Sequence, residues 1–291
     1  MRRYALNPAT PVLSRPDGTV QVGWDPRRAV VVHPPPGLPA RLLAELLHLL
    51  QSTATIAELH TLAADYADDE SVVTDLVGRL TDAGVVTAVA NRRRRAAAIR
   101  VHGRGPLSEL LIASLRCSNV RISQSNRSHA GAGGADLAVL TDYLVADPRV
   151  VRDLHEAGVP HLAVRVRDGA GMVGPLVIPG VTSCLRCADL HRSDRDDAWP
   201  AVAAQLCRTI GTADRATVLA TAGLALAEVD RVVRAVRGDL DPAASSTSEP
   251  RASGPTTPSS LGTTLEFDVG AGAIVARRWP RHPRCSCGRS G

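Results

Sequence analysis

Four of the six cysteines stand in two close pairs, Cys184-Leu185-Arg186-Cys187 and Cys285-Ser286-Cys287. Two cysteines separated by two residues on a turn aim both thiolates at one tetrahedral ion, and a second pair elsewhere supplies the remaining corners. The spacing therefore reads as one zinc site built from Cys184, Cys187, Cys285 and Cys287, tying the tail to the middle of the chain. A pair of disulfides, or four unrelated thiols, are the other readings. Metal is favoured because the spacings are short and the first residues, MRRYALNPATP, contain no secretory h-region. C-x-C is tighter than the usual spacing, which makes His282 a reserve ligand. Four thiolates leave an ion no open position, so the site would be structural rather than hydrolytic. Next to it, His191, Asp194, Arg195, Asp196 and Asp197 form a polar cluster. Such a cluster beside a metal can do catalysis; the plainer reading is a helix entry that caps and hydrogen-bonds neighbouring loops. Cys117 and Cys207 lie in helical apolar patterns and read as buried thiols.

A second constellation has the form strand, glycine turn, helix. Residues 96–102 (AAAIRVH) are strand-like, Gly103-Arg104-Gly105 follows, and residues 108–116 form an amphipathic helical pattern. A tight turn opening a helix favours phosphate. The third glycine of G-x-G-x-x-G is replaced by Ser108, however, and no acidic residue ends the next strand, residues 119–123. A nucleotide loop at Gly103 and Gly105, in vestigial form, and a plain tight turn both stand.

These residues must be carried by a scaffold. At 291 residues with 44% hydrophobic content, two globular domains are expected. No apolar run approaches the ~18 residues of a membrane span, so a cytoplasmic protein without membrane contact is expected. All 34 basic residues are Arg, with no Lys. Residues 1–90 carry seven Arg against ten Asp/Glu, a net −3, leaving +8 for the remainder. That is not the pattern of a nucleic-acid polycation.

Residues 1–90 read as a small α+β module. Strands are expected at residues 19–24 and 29–33, followed by a Leu42, Leu46, Leu50 helical stripe with Leu43 and Leu47. Thr55 and Glu58 form a capping box for a second helix with Ile56, Leu59 and Leu62 inward. A third helix places Val72, Val73, Leu76, Val77 and Leu80 inward, Gly84 closes it, and residues 85–89 form a strand. The order is winged-helix-like. As a DNA reader its third helix would be poor, since Asp69, Glu70, Asp75 and Asp82 repel phosphate. As a peptide receptor it would accept a guest strand along Val30, Val31 and Val32, with Leu76, Val77 and Leu80 near the guest's apolar side chains. A module that only packs is the third option. Residues 91–95 (NRRRR) read as a charged linker, or as a dock for an acidic partner.

Residues 96–291 alternate strands and helices, which argues for a mostly parallel, doubly wound, Rossmann-like sheet. Strands are expected at residues 136–142, 161–167 and 172–178, and helices at 148–156, 198–210 and 213–237, the last capped by Thr212. Residues 239–258 read as a flexible loop, and a final hairpin at residues 263–268 and 273–277 delivers Trp279 and the last cysteines to the metal.

Gly103-x-Gly105, the Asp136 strand, Gly174-Pro175-Leu176-Val177, Cys184-x-x-Cys187 and the terminal cysteine pair together resemble the ThiF-type, ubiquitin-activating-enzyme-like fold. The CLRCADLHRSDRDDAWP run and the HPRCSCG ending are similar to its branch associated with thiazole/oxazole-modified peptides, and residues 5–90 resemble the PqqD-like peptide-recognition element. The resemblance implies a structural zinc on Cys184, Cys187, Cys285 and Cys287. Family members that adenylate use Arg, Lys and carboxylates around ATP. Here Lys is absent, and the stretch between Gly105 and Asp136 is too short for the strands and helix that carry those groups; Ser125-Asn126-Arg127 only faintly echoes one of them. ATP binding is therefore not expected. The implied role is a non-catalytic partner that binds the leader of a precursor peptide and presents it to a YcaO-type cyclodehydratase for azoline formation, with homodimerisation common in the fold. The alternative is an adenylyltransferase activating a peptide or carrier-protein C-terminal carboxylate; a DNA-binding regulator is the third.

Overall fold

The computed structural model describes residues 2–66, 70–89, 95–126, 133–237 and 257–288. The chain divides into two compact units, Met1–Arg93 and Arg94–Gly291. The expected loop at residues 239–258 and linker at 91–95 fall almost wholly outside the described residues.

In the first unit β1 (Arg3–Leu6) is the centre of a three-stranded antiparallel sheet, flanked by β5 (Ala54–Thr55) and β6 (Val86–Val89). A second antiparallel sheet is the meander β2 (Val12–Ser14), β3 (Val20–Val22) and β4 (Val30–Val32). The helices are α1 (Ala40–Gln51), α2 (Ile56–Ala63) and α3 (Glu70–Asp82). The α1 stripe buries Leu42, Leu43, Leu46, Leu47 and Leu50; each such side chain contributes about 1.5–3 kcal/mol by leaving water. The capping box forms as read: Thr55 Oγ1 accepts from the Glu58 amide (3.2 Å), and the Glu58 carboxylate accepts from the Thr55 amide (2.7 Å). Gly84, at φ +70°, turns the chain out of α3. Leu62 is not inward: it is 36% exposed, because α2 is short and only Leu59 and Ala63 face the core.

The second unit is built on a seven-stranded sheet in the order β13-β12-β11-β10-β9-β7-β8. Its strands are β7 (Ala97–His102), β8 (Val120–Ser125), β9 (Leu137–Thr141), β10 (His161–Arg167), β11 (Ala170–Val177), β12 (Thr263–Asp268) and β13 (Ala273–Arg278). The pairings among β8, β7, β9 and β10 are parallel, and those from β10 through β13 antiparallel. The sheet is thus mixed rather than mostly parallel, because the β10–β11 and β12–β13 connections are tight hairpins. Along β7, β9 and β10 the buried side chains alternate between two faces. One face packs with α4 (Pro106–Leu115) and α8 (Arg215–Arg237) around Ile99, Val139, Val164 and Val229. The other packs Leu140 and Ala163 with Leu154 of α5 (Pro148–Glu156) and Leu185 of α6 (Leu185–Ser193). Helix α7 (Trp199–Leu206) follows α6. Asp214, not Thr212, caps α8: its carboxylate accepts from the Thr217 amide (2.8 Å) and hydroxyl (2.9 Å). Cys117 is exposed and Cys207 half-buried, since α4 ends at Leu115 and α7 at Leu206, just before each thiol. No helix among the described residues is long and apolar enough to cross a membrane.

Candidate metal centre and the closed glycine turn

After β11 the chain turns and enters α6 with Cys184 at its N-cap and Cys187 in its first turn. The sequence pattern alone placed these two on a turn; the helix begins one residue after Cys184. From the other side, β13 hands the chain to Trp279, whose indole N–H donates to Thr264 Oγ1 (3.0 Å). Arg281 donates to the carbonyls of Gly180 (2.6 Å) and Val181 (2.8 Å), locking the tail beside the β11–α6 connection. The four sulfurs of Cys184, Cys187, Cys285 and Cys287 then lie within 4.8 Å of one another. Sγ–Sγ separations are 3.8 Å for Cys184–Cys187, 3.6 Å for Cys184–Cys285 and 3.4 Å for Cys187–Cys287. Metal–sulfur bonds of about 2.3 Å in a tetrahedron place sulfurs about 3.8 Å apart. A disulfide needs about 2.05 Å, so the paired-disulfide reading fails on distance. Burial pushes the Cys184 thiol far up and that of Cys287 up to about 11, while at Cys187 burial is outweighed by hydrogen bonds that hold it below its usual value, so a cation among the sulfurs would bind with release of protons. These four residues can hold a metal ion.

His282 is buried and engaged elsewhere. Its Nδ1 accepts from the Arg284 amide (3.1 Å), and Nε2 bonds Asp194 at 2.7 Å. The His282 bond, with Arg284 beside it, holds the Asp194 carboxyl below its usual range. His191 donates to the Pro280 carbonyl (3.2 Å) and meets His282 edge-on, ring centres 4.6 Å apart. Asp196 accepts from the Ala198 amide (2.9 Å) at the entry to α7. His191, Asp194 and His282 thus fasten the tail, and Asp196 holds the turn before α7.

Gly103 and Gly105 connect β7 to α4, and the space beside them is filled. Asp142, directly after β9, is 1% exposed. Its carboxylate accepts from the amides of Leu107 (2.9 Å) and Ser108 (3.2 Å) and from Thr141 Oγ1 (2.9 Å). A Cβ on Gly103 would lie 2.1 Å from Thr141 Oγ1, and one on Gly105 2.8 Å from Asp142 Oδ1. The glycines make room for the protein's own carboxylate, which occupies the helix end where a phosphate would bind. Asp142 sits at φ +69°, a conformation unusual for a non-glycine residue. Its backbone is held by bonds to the Val164 carbonyl and the Gly211 amide. The sequence signal is a Thr-Asp pair closing a buried strand, at the carboxyl edge where α/β sheets place functional groups; nothing local to it shows that the side chain reaches the Gly103–Gly105 turn.

Beside this turn a cavity of 1740 Å³ opens at the carboxyl ends of β7, β8 and β9, with Arg165, Asp189, Arg192, Trp199 and Trp279 among its lining residues. In the first unit, Val30, Val31 and Val32 form β4, an outer strand of its sheet, with Val31 40% exposed and Val32 buried. Leu76, Val77 and Leu80 lie in the same core cluster as Val32, each at most 4% exposed.

No family model matches the chain, and no curated protein matches it in sequence. Solved structures do. The structure of the heterocyclase TruD aligns over 99% of this chain at TM-score 0.66 and 18% identity, covering 43% of the TruD chain. A heterocyclase in complex with substrate and cofactor aligns over 99% at TM-score 0.66 and 16% identity, covering 40% of that chain. E. coli MccB aligns over 99% at TM-score 0.53 and 13% identity, covering 97% of MccB. The fold is therefore that of TruD and MccB, in keeping with the ThiF-type resemblance. The chain spans less than half the length of the heterocyclases.

Proposed function

We propose that this chain binds the leader segment of a precursor peptide and presents it to a YcaO-type cyclodehydratase for azoline formation, without activating a carboxylate itself. The observation that carries the non-catalytic part is Asp142, which fills the amino end of α4 where a nucleotide's phosphates would otherwise be met. The size relation supports a division of labour, since the chain corresponds to less than half of each heterocyclase. Peptide binding is supported by a neighbour solved as MccB in complex with N-formylated MccA, at TM-score 0.55 and 12% identity.

The leader docks on the winged-helix-like, PqqD-like first unit by adding a strand beside β4, where backbone bonds give affinity and side-chain pockets give selectivity. Val30, Val31 and Val32 supply the edge. Leu76, Val77 and Leu80 already belong to the core cluster that includes Val32, so guest side chains would meet them only where that packing parts. Val31→Pro stiffens the edge and removes an amide. It is expected to weaken a fluorescent cognate leader at least about tenfold by anisotropy, with the far-UV spectrum retained; undiminished binding by the folded variant sinks the placement.

Cys184, Cys187, Cys285 and Cys287 hold a zinc ion in a doubly wound, Rossmann-like second unit, and the ion supplies a closed, non-catalytic cross-link. The protein works in the cytoplasm, without membrane or nucleic acid. Its outer strand β13, with Ile274 and Val275 exposed, is the edge on which a second copy would form a homodimer.

The second reading, an ATP-dependent adenylyltransferase acting on a peptide C-terminus, draws on MccB solved with ATP, at TM-score 0.54. Pyrophosphate exchange by the purified chain, at a rate above buffer, would favour it over the binding-partner reading.

A further inference from the structure

Arg165 is a buried charge without a partner. It lies on β10, on the sheet face covered by α5 and α6, and lines the cavity at the strand ends. It is only 9% exposed; its guanidinium makes no hydrogen bond or ion pair with the described residues, and its nitrogens are not among the buried atoms, so they open into the cavity. Asp189, the acid whose charge reaches it, is already engaged. Asp189 pairs with Arg192 at 2.9 Å, and Glu266 pairs with Arg167 at 3.3 Å and Arg277 at 3.1 Å. Arg192 is further held between Trp199 and Trp279, its guanidinium carbon 5.0 and 5.1 Å from the two ring centres. It cannot swing away to relieve the charge on Arg165. Burial and the Arg192 and Arg167 charges already push the Arg165 group down to about 10, yet it stays protonated near neutrality. A guanidinium that lines a cavity and is paired with no acid among the described residues keeps its donors available to an anionic ligand.

We propose that this cavity receives a carboxylate-bearing ligand, anchored by paired N–H bonds from Arg165 against the wall formed by Arg192, Trp199 and Trp279. A carboxylate suits a single fork of donors. At the neighbouring amino end of α4, where a phosphate would be met, Asp142 already fills the space. The site lies wholly in the second unit, so it is independent of the leader strand at β4. Val31→Pro should leave it intact, and its loss should leave leader binding intact.

The test uses the full chain with four probes: N-acetyl-glutamate amide for a side-chain carboxylate, Ala-Ala-Gly for a terminal one, Ala-Ala-Gly amide, and inorganic phosphate. Titration calorimetry and thermal melting are the readouts. At a hundredfold excess over Kd, a carboxylate probe is expected to raise Tm by roughly 5–10 °C, while the amide and phosphate do nothing. The more effective of the two carboxylates identifies the source of the group. Arg165→Met is expected to abolish the response while melting at or above the wild-type temperature, because it deletes an unpaired buried charge. Arg165→Lys is expected to bind about tenfold more weakly, lacking the fork. A wild-type chain unmoved by either carboxylate overturns the proposal. So does a response to phosphate alone, or an Arg165→Met variant that responds like wild type.

Discussion

Helices α4 and α6 both start immediately after a turn that leaves a strand of the second unit, and both present unpaired amides at their first turn. Their needs are met in opposite ways. At α4 the chain brings its own anion: Asp142 accepts from Leu107 and Ser108. At α6 the N-cap is Cys184, with no side-chain cap bond, and the nearby groups are four thiols placed to hold a cation. One helix end is capped by the chain's own carboxylate; the other lies beside four thiols that could hold an ion. A strand–turn–helix motif therefore says little about function until its end group is known.

Removing the ion should break the comparison most visibly. The chain is expected to carry one zinc by elemental analysis, and chelation or Cys187→Ala should lower the second unit's Tm by more than about 10 °C, as expected of a structural site. A chelated chain that melts unchanged would show that the α6 end is as self-sufficient as that of α4. Next in size is Asp142→Ala, which leaves two buried amides without an acceptor and should cost about 3–5 kcal/mol in urea unfolding. Asp142→Asn, which keeps an acceptor but not the charge, should cost about half as much. The smallest effect lies outside both helix ends. Burial lowers His161 to about 4, against about 6.5 unfolded, so the unfolded chain binds more protons between those values. Stability is then full above pH 6.5 and falls with pH, by about 1 kcal/mol between pH 6.5 and 5.5. His161→Gln should flatten that slope; an unchanged slope would assign it to other groups.

Much of this was legible in the residues. The cysteine pairs, the Thr55–Glu58 box and the strands at β7, β9 and β10 declared themselves because their signals are local. What escaped depends on distant partners. β1 and β2 are short, and β1 makes sense only beside β6, where Arg3 pairs with Val89. Asp142 looks like any strand end until α4, 35 residues earlier, is brought to it. Arg165 sits in the run HLAVRVR, whose alternation suggests an outward, solvated arginine. It is buried because helices cover both faces of the sheet, and no periodicity within one strand reports that.

The separation of the metal-binding pairs has a consequence for synthesis. Cys187 and Cys287 are 100 residues apart, so at about 5–20 residues per second the first pair waits several seconds on the ribosome for the second. The core of the first unit draws only on residues up to Val86 and has no such wait. The first unit can be mature on the nascent chain while Cys184 and Cys187 are still bare, and it is in that interval that oxidants or competing ions have their chance at them.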